Sequence, residues 1–264
     1  MTIDYSALRF EVHQQVATIT FDNGKRNVLD RVMRTEFADA IGRVHRDRDI
    51  RALVITGANG HFCAGGDLHA IASLGLDTHG WRNRLHDAHD WLRYLITLDR
   101  PVIAAVDGAA AGAGFSLSLA ADFVLATPRA RFCMSFLKVG LVPDLGAFHT
   151  LPRAVGVQRA KEIMMSARDI DGDEALRLGI AMELHDPDRL LGRAHGLAHG
   201  FTQASPAALS IIKRAFAAPV HDLTTAMELE ASGQAVATQT NEHRAAVQRF
   251  VDKEPALYAW PAHT

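Results

Sequence analysis

Residues 101–126 read PVIAAVDGAAAGAGFSLSLAADFVLA, and this stretch decides the fold class. Pro101 cannot sit inside a helix, and it opens an uninterrupted apolar run, Val102 to Val106, of strand length. A small-residue loop follows, then a helix reaching to about Ala121, then a second short strand at Phe123 to Ala126. Strand, helix and strand in that order make a βαβ unit, whose strands lie parallel in one sheet. The pattern recurs upstream. Leu53, Val54 and Ile55 form a buried strand ending in Thr56-Gly57, and a helix carrying Leu85, Trp91, Leu92, Leu95 and Leu98 leads back to Pro101. Before it, Leu8 to His13 and Val16 to Phe21 alternate around Gln14-Gln15 as an antiparallel hairpin. Asp22-Asn23-Gly24 ends the hairpin, and Asp30 caps a helix whose apolar stripe is Val32, Met33, Phe37, Ile41 and Val44. After about residue 155 the chain reads as helices: Val157 to Ser166, Gly172 to Leu178, Asp188 to Phe201, Pro206 to Phe216 and His221 to Val251. The expected class is α/β with a mostly parallel sheet and a helical C-terminal region.

Composition narrows the function. Of 264 residues, 48% are hydrophobic and 22% charged, ordinary values for a globular chain able to bury a large core. The 28 basic and 30 acidic residues leave a net charge of −2, which argues against a nucleic-acid partner. Arg43, His45, Arg46 and Arg48 are interrupted by Asp47 and Asp49 and read as a solvated helix end. Cys63 and Cys133 are too few for a disulfide framework or a thiolate metal site. The opening MTIDYSALRF lacks the features of a signal or transit peptide, no apolar run is long enough for a membrane span, and Ala-His-Thr is not a peroxisomal address. The expected location is the cytoplasm, away from membranes.

Two segments carry the chemistry. Gly60-His61-Phe62-Cys63-Ala64-Gly65-Gly66-Asp67-Leu68 and Val106-Asp107-Gly108-Ala109-Ala110-Ala111-Gly112-Ala113-Gly114-Phe115 each follow a buried strand. Small residues allow close backbone approach to a ligand, and N–H groups at a helix start are unpaired at the positive end of the helix dipole. Two such loops facing each other aim two donors at one developing oxyanion, worth about 3 kcal/mol per donor in acyl chemistry. Neither loop has the G-x-G-x-x-G or G-x-x-x-x-G-K-[ST] spacing, and there is no G-x-S-x-G elbow. The plainer reading of either loop alone is a tight strand-to-helix turn.

The strings Phe62 to Leu68, Arg100 to Gly108, Gly112-Ala113-Gly114 through Ala120-Ala121-Asp122, Gly140 to Gly146, and Leu151-Pro152-Arg153 resemble the crotonase superfamily, the enoyl-CoA hydratase/isomerase family. The likeness covers about residues 8 to 185, with a looser fit through the helical tail. It implies a crotonase-like spiral of ββα and βαβ units, with a core domain at 1–195 and a helical region at 196–264 used for trimerisation. The partners it implies are an acyl-CoA substrate and further copies of the chain, as a homotrimer or a dimer of trimers. It requires neither metal nor any cofactor beyond coenzyme A carried as the thioester. Carried over by position, the oxyanion donors are the N–H groups of Gly66 and Ala113. Ala64, with Asp67 and Leu68 in the same loop, stands where the family contacts adenine, and Arg26 and Val28 line the CoA channel.

The side chains facing the thioester select the reaction. The resemblance places the hydratase glutamates at positions that here hold Ser116 and Phe136. Paired-carboxylate water addition is thereby disfavoured. A carboxylate stands instead at Asp144, where the single-Asp branch, including phenylacetate-pathway isomerases, keeps its acid/base. Pro143-Asp144-Leu145-Gly146 is also a good turn signature, so Asp144 has a structural reading beside the catalytic one. For the catalytic reading, Phe115, Phe136 and Phe148 are the expected apolar wall. His89 falls where aryl-CoA dehalogenases of the family keep a histidine base, and it also falls beside the Trp91-Leu92 stripe, as a wall residue would. His79, His86 and His89 suggest a metal only weakly, since no H-E-x-x-H accompanies them and the chain has 14 histidines. Cys63 reads as a small packed residue. An enoyl-CoA isomerase leads, with a hydratase or lyase, a dehalogenase-like enzyme and a silent acyl-CoA-binding protein as alternatives.

Overall fold

The computed structural model describes residues 2–217 and 222–262. Strands β1 (Thr2–Asp4), β2 (Leu8–His13) and β3 (Val16–Phe21) precede helix α1 (Arg31–Arg46) and strand β4 (Ala52–Gly57). Helices α2 (Leu68–Ala72) and α3 (Thr78–Ile96) then lead to β5 (Val102–Val106), β6 (Ala109–Ala111), α4 (Ala113–Ser118), β7 (Phe123–Ala126) and β8 (Arg131–Cys133). After them come α5 (Ala147–Val155), α6 (Val157–Ser166), β9 (Asp169–Asp171), α7 (Gly172–Leu178) and β10 (Glu183–Leu184). The chain closes with α8 (Pro187–Thr202), α9 (Pro206–Ala217), α10 (Leu223–Ala237) and α11 (Asn241–Val251).

Seven strands form one sheet in the order β1-β2-β3-β4-β5-β7-β10. The hairpin end is antiparallel, and from β3 onward every pairing is parallel. A strand buried on both faces has no polar side to show, which is why β4 and β5 read as continuous apolar runs. Ala17, Ile19, Phe21, Leu53, Ile55, Val102 and Ala104 point into the larger core with Met33, Phe37 and Ile41 of α1. The alternate residues Val54, Ile103, Ala105 and Leu125 are covered by Leu190, Ala194, Leu197, Ala198 and Phe201 of α8. Those α8 residues share one helical stripe, and the helix lies flat on the sheet.

Several expectations are corrected by this arrangement. The division at 195/196 falls inside α8, all of which belongs to the sheet layer; the helices beyond that layer start with α9. The expected helix from His221 to Val251 is two helices, parted at Thr238–Thr240, where Thr240 caps α11 through the His243 N–H. Its first residue, His221, lies outside the described residues. The helix expected to reach Ala121 stops at Ser118, since the chain must turn to enter β7. The second sheet, β6-β8-β9, was not legible, because three-residue strands carry no usable periodicity. No described helix is long and apolar enough to cross a membrane.

Candidate active site

Neighbouring parallel strands deliver their following loops to the same edge of the sheet, where ligands of α/β folds gather. The loops after β4 and β5 are bound to each other there. Cys63 donates its N–H to the Ala109 carbonyl at 2.9 Å, and Ala111 donates to the Cys63 carbonyl at 3.0 Å. The glycines are required by this closeness. A Cβ on Gly114 would lie 2.1 Å from the Cys63 carbonyl oxygen, and one on Gly65, at φ +92, would lie 2.7 Å from the Ala111 oxygen. The same Gly65 position is 3.6 Å from the Ala113 nitrogen, so the expected donor loops meet side by side. Ala113 is the first residue of α4, and Gly66 is fixed by the neighbouring Leu29 N–H to Gly65 carbonyl bond of 2.8 Å. Among the described residues neither the Gly66 nor the Ala113 N–H is taken up by an acceptor.

Asp144 lies in the segment before α5, and α5 packs on α4. Gly146, at φ +78, brings this segment against Leu92 of α3. The turn at Asp144 is made by its backbone, whose carbonyl accepts from Ala147 N–H at 3.2 Å. The side chain takes no part in it: α5 has no side-chain cap, and the buried Oδ1 has no hydrogen-bond partner among the described residues. Burial pushes the carboxyl up to about 6, against the opposing pull of the Arg84 and Arg34 charges. Leu145, next in the chain, holds φ +48, a costly conformation for a branched side chain, and this pins the segment's path. Buried polar atoms are nearly always paired, so an orphaned carboxylate oxygen marks a group kept for a ligand.

The other expected residues fall as follows. Ser116 is buried and bonds weakly to the Gly112 carbonyl at 3.4 Å, and Phe136 lies near Gly112, so both glutamate positions are filled without a carboxylate. Phe115 is fully buried against Phe132, Phe136 lies beside Gly112, and Phe148 is 64% exposed, so Phe148 is not part of the expected wall. His89 is half-buried on α3 with its ring 6.2 Å from that of His86, and among the described residues no three His, Cys, Asp or Glu side chains gather as a metal site. Cys63 is buried and its thiol is pushed up to about 12 by desolvation, which removes it as a nucleophile. In the expected CoA set, Ala64 gives its N–H to the Arg26 carbonyl at 3.0 Å and keeps only its own carbonyl for a ligand. Asp67 caps α2 through His69 and Ala70 N–H, Leu68 is half-exposed, and the Val28 carbonyl accepts from the Asn23 amide.

Three residues escaped the sequence reading. Asn27, between Arg26 and Val28, is fully buried at φ +53 and donates to the Ala58 and His61 carbonyls at 2.9 and 2.7 Å. Its position in a segment flanked by two expected CoA contacts was the available signal. Asn27→Ala is expected to cost about 2 kcal/mol, since the part-buried His61 carbonyl loses its donor and the Ala58 carbonyl keeps only the His61 N–H at 3.3 Å, and chemical denaturation measures it. Arg34 and Arg84, on separate helices, had no sequence signal, because only tertiary packing brings their charges to bear on Asp144.

Comparison with known proteins gives the family. The profile of the enoyl-CoA hydratase/isomerase family matches residues 11–260. The chain is 37% identical to a probable enoyl-CoA hydratase of Rhodobacter capsulatus, over 96% of this chain and 98% of that one. It is 33% identical to the 1,2-epoxyphenylacetyl-CoA isomerase of Escherichia coli, over 92% and 94%. The crystal structure of an enoyl-CoA hydratase/isomerase from Cupriavidus metallidurans superposes with a TM-score of 0.93 at 43% identity, covering 99% of this chain and all of that one. With the crotonase fold, the paired glycine loops and this match along nearly its whole length, the chain belongs to the enoyl-CoA hydratase/isomerase family.

Proposed function

We propose that the protein is an enoyl-CoA isomerase, shifting a double bond along an acyl-CoA thioester, with Asp144 as the proton-transferring group. The observation that carries this is the half-buried Asp144 carboxyl, whose buried Oδ1 has no hydrogen-bond partner among the described residues, in a site where both hydratase carboxylate positions hold Ser116 and Phe136. The Gly66 and Ala113 N–H groups receive the thioester oxygen, and negative charge grows on that oxygen as a proton leaves the carbon chain. Asp144 takes that proton, and the enolate, conjugated with the existing double bond, recovers it at a carbon two positions further along. One base suffices, since the proton removed and the proton returned balance and no water enters. A carboxyl near 6 is ionised at neutral pH yet basic enough to accept the proton and acidic enough to give it back. His89 is assigned to the pocket wall.

The expected signature is kinetic. With a β,γ-enoyl-CoA, kcat/KM should rise about tenfold per pH unit below about pH 6 and level off above it, because the base must be ionised. A profile with two ionisations of comparable weight would favour a hydratase or lyase with a second acid/base. The exposed Phe216 and Phe250, at 81% and 84%, support assembly through α9 to α11 as a homotrimer or dimer of trimers. Light scattering that finds a stable monomer at micromolar concentration contradicts that assembly.

A further inference from the structure

We propose that the cleft between α1 and α3 receives the far end of the acyl group, and that this end carries a carboxylate held by Arg34 and Arg84. This assignment rests on the acyl-CoA reading above and names its substrate class: ω-carboxyacyl thioesters. The cleft has a volume of about 530 Å³, and its polar lining is Arg31, Arg34, Thr35, Asn83, Arg84 and Asp87. Three arginines against one aspartate leave it strongly positive in a chain of net charge −2. Apolar Ala38, Leu76, Ala88 and Trp91 line the rest, enough to take a short methylene chain.

The arginines are not there for an internal partner. Among the described residues Arg84 makes no hydrogen bond or ion pair; its guanidinium lies 5.8 Å from the Trp81 ring centre. Arg34 donates only to the carbonyl of Asp30, in its own helical turn, and has no ion pair either. Both are half-buried, burial weakens the hold of each on its proton, and the Arg84 charge adds to this at Arg34. Two partly desolvated cations facing one cleft repel each other until an anion sits between them. Asp144 does not fill that place, since it lies within their electrostatic reach but forms no ion pair with either. Helix α3 connects the cleft to the reacting centre: its Trp91 lines the cleft, and the next residue, Leu92, lies against Gly146 beside Asp144. A guanidinium pair reads the planar fork of a carboxylate, and a methyl end offers it nothing. CoA phosphate is the other source of anionic oxygen.

Calorimetric binding of saturated thioesters tests this without any turnover, with adipoyl-CoA against hexanoyl-CoA as the probe pair. Wild-type protein should bind adipoyl-CoA about tenfold or more tightly, and Arg84→Met and Arg34→Met should each lose most of that advantage while holding hexanoyl-CoA nearly as before. Equal or tighter binding of hexanoyl-CoA by the wild type, which needs no variant to fold, overturns the proposal. Equal weakening of adipoyl-CoA, hexanoyl-CoA and free CoA in Arg84→Met also overturns it, because the guanidinium then serves the CoA phosphates. The two readings fail separately. Adipoyl-CoA preference without turnover of any enoyl thioester refutes the isomerase, and turnover without the preference refutes the cleft assignment.

Discussion

Asp144→Asn is expected to lower turnover by about 10²-fold or more and, at the same time, to make the protein more stable at neutral pH. The two effects have one origin. The Oδ1 of the carboxyl is buried with no partner among the described residues, and burial raises the group from the ordinary 3.8 to about 6. A raised carboxyl binds its proton more tightly folded than unfolded, so its ionisation costs stability. The cost builds from about pH 4, is complete above about pH 6, and is relieved as the pH falls back through that window. The amide has no such ionisation, so the variant should gain about 2 kcal/mol above pH 6 and little at pH 4. Denaturant unfolding at the two pH values measures the gain, and a thioester assay measures the loss. A side chain kept for its turn would give the reverse pattern, with stability falling and turnover near wild type.

Gly114→Ala should damage both folding and turnover, because the added methyl group collides with the backbone of the facing loop. Its Cβ would meet the Cys63 carbonyl oxygen at 2.1 Å and the Cys63 carbonyl carbon at 2.8 Å, and both are backbone that no rotamer change can clear. The start of α4 must move away from the first loop, carrying the Ala113 N–H with it. Overpacking of this kind costs about 3 kcal/mol. Displacing one oxyanion donor costs about 10² to 10³ in kcat. Turnover should therefore fall by at least that factor in whatever fraction stays folded, while affinity for free CoA changes far less. Gly192→Ala is the control, since a Cβ there meets nothing within 4 Å.

The contrast between these two sites shows what the sequence could convey. The glycine loops were legible because their requirement is local: a small residue next to a buried strand constrains the backbone wherever the rest of the chain goes. The parallel strands were legible for the same reason, since Val102 to Val106 has no polar side to offer solvent. Asp144 was only half legible. Pro143-Asp144-Leu145-Gly146 has the look of a turn, and the backbone indeed turns there; that the side chain is left out of the turn follows from packing between α3, α4 and the segment before α5. Resemblance, not spacing, singled the residue out. Phe148 was misjudged because adjacency in sequence to Asp144 said nothing of direction, and the ring points outward. Arg34 and Arg84 are separated by fifty positions and meet only because α1 packs on α3, through contacts such as Phe37 on Trp91 at 5.2 Å. Asp122 was legible as part of a motif and opaque as to role. It accepts the Val102 N–H at 2.7 Å and pairs with Lys213 of α9, tying the first of the outer helices to the sheet.

The identity of the first product from a β,γ-enoyl-CoA tests the central claim most directly. Mass and absorbance of that product, followed from the first turnover at pH 8, separate the two outcomes. A single base working with an oxyanion hole predicts a conjugated α,β-enoyl-CoA of unchanged mass, formed before any hydrated species and lost in Asp144→Asn. A 3-hydroxyacyl-CoA, one water heavier, appearing as the first product or forming at full rate in Asp144→Asn, would contradict it.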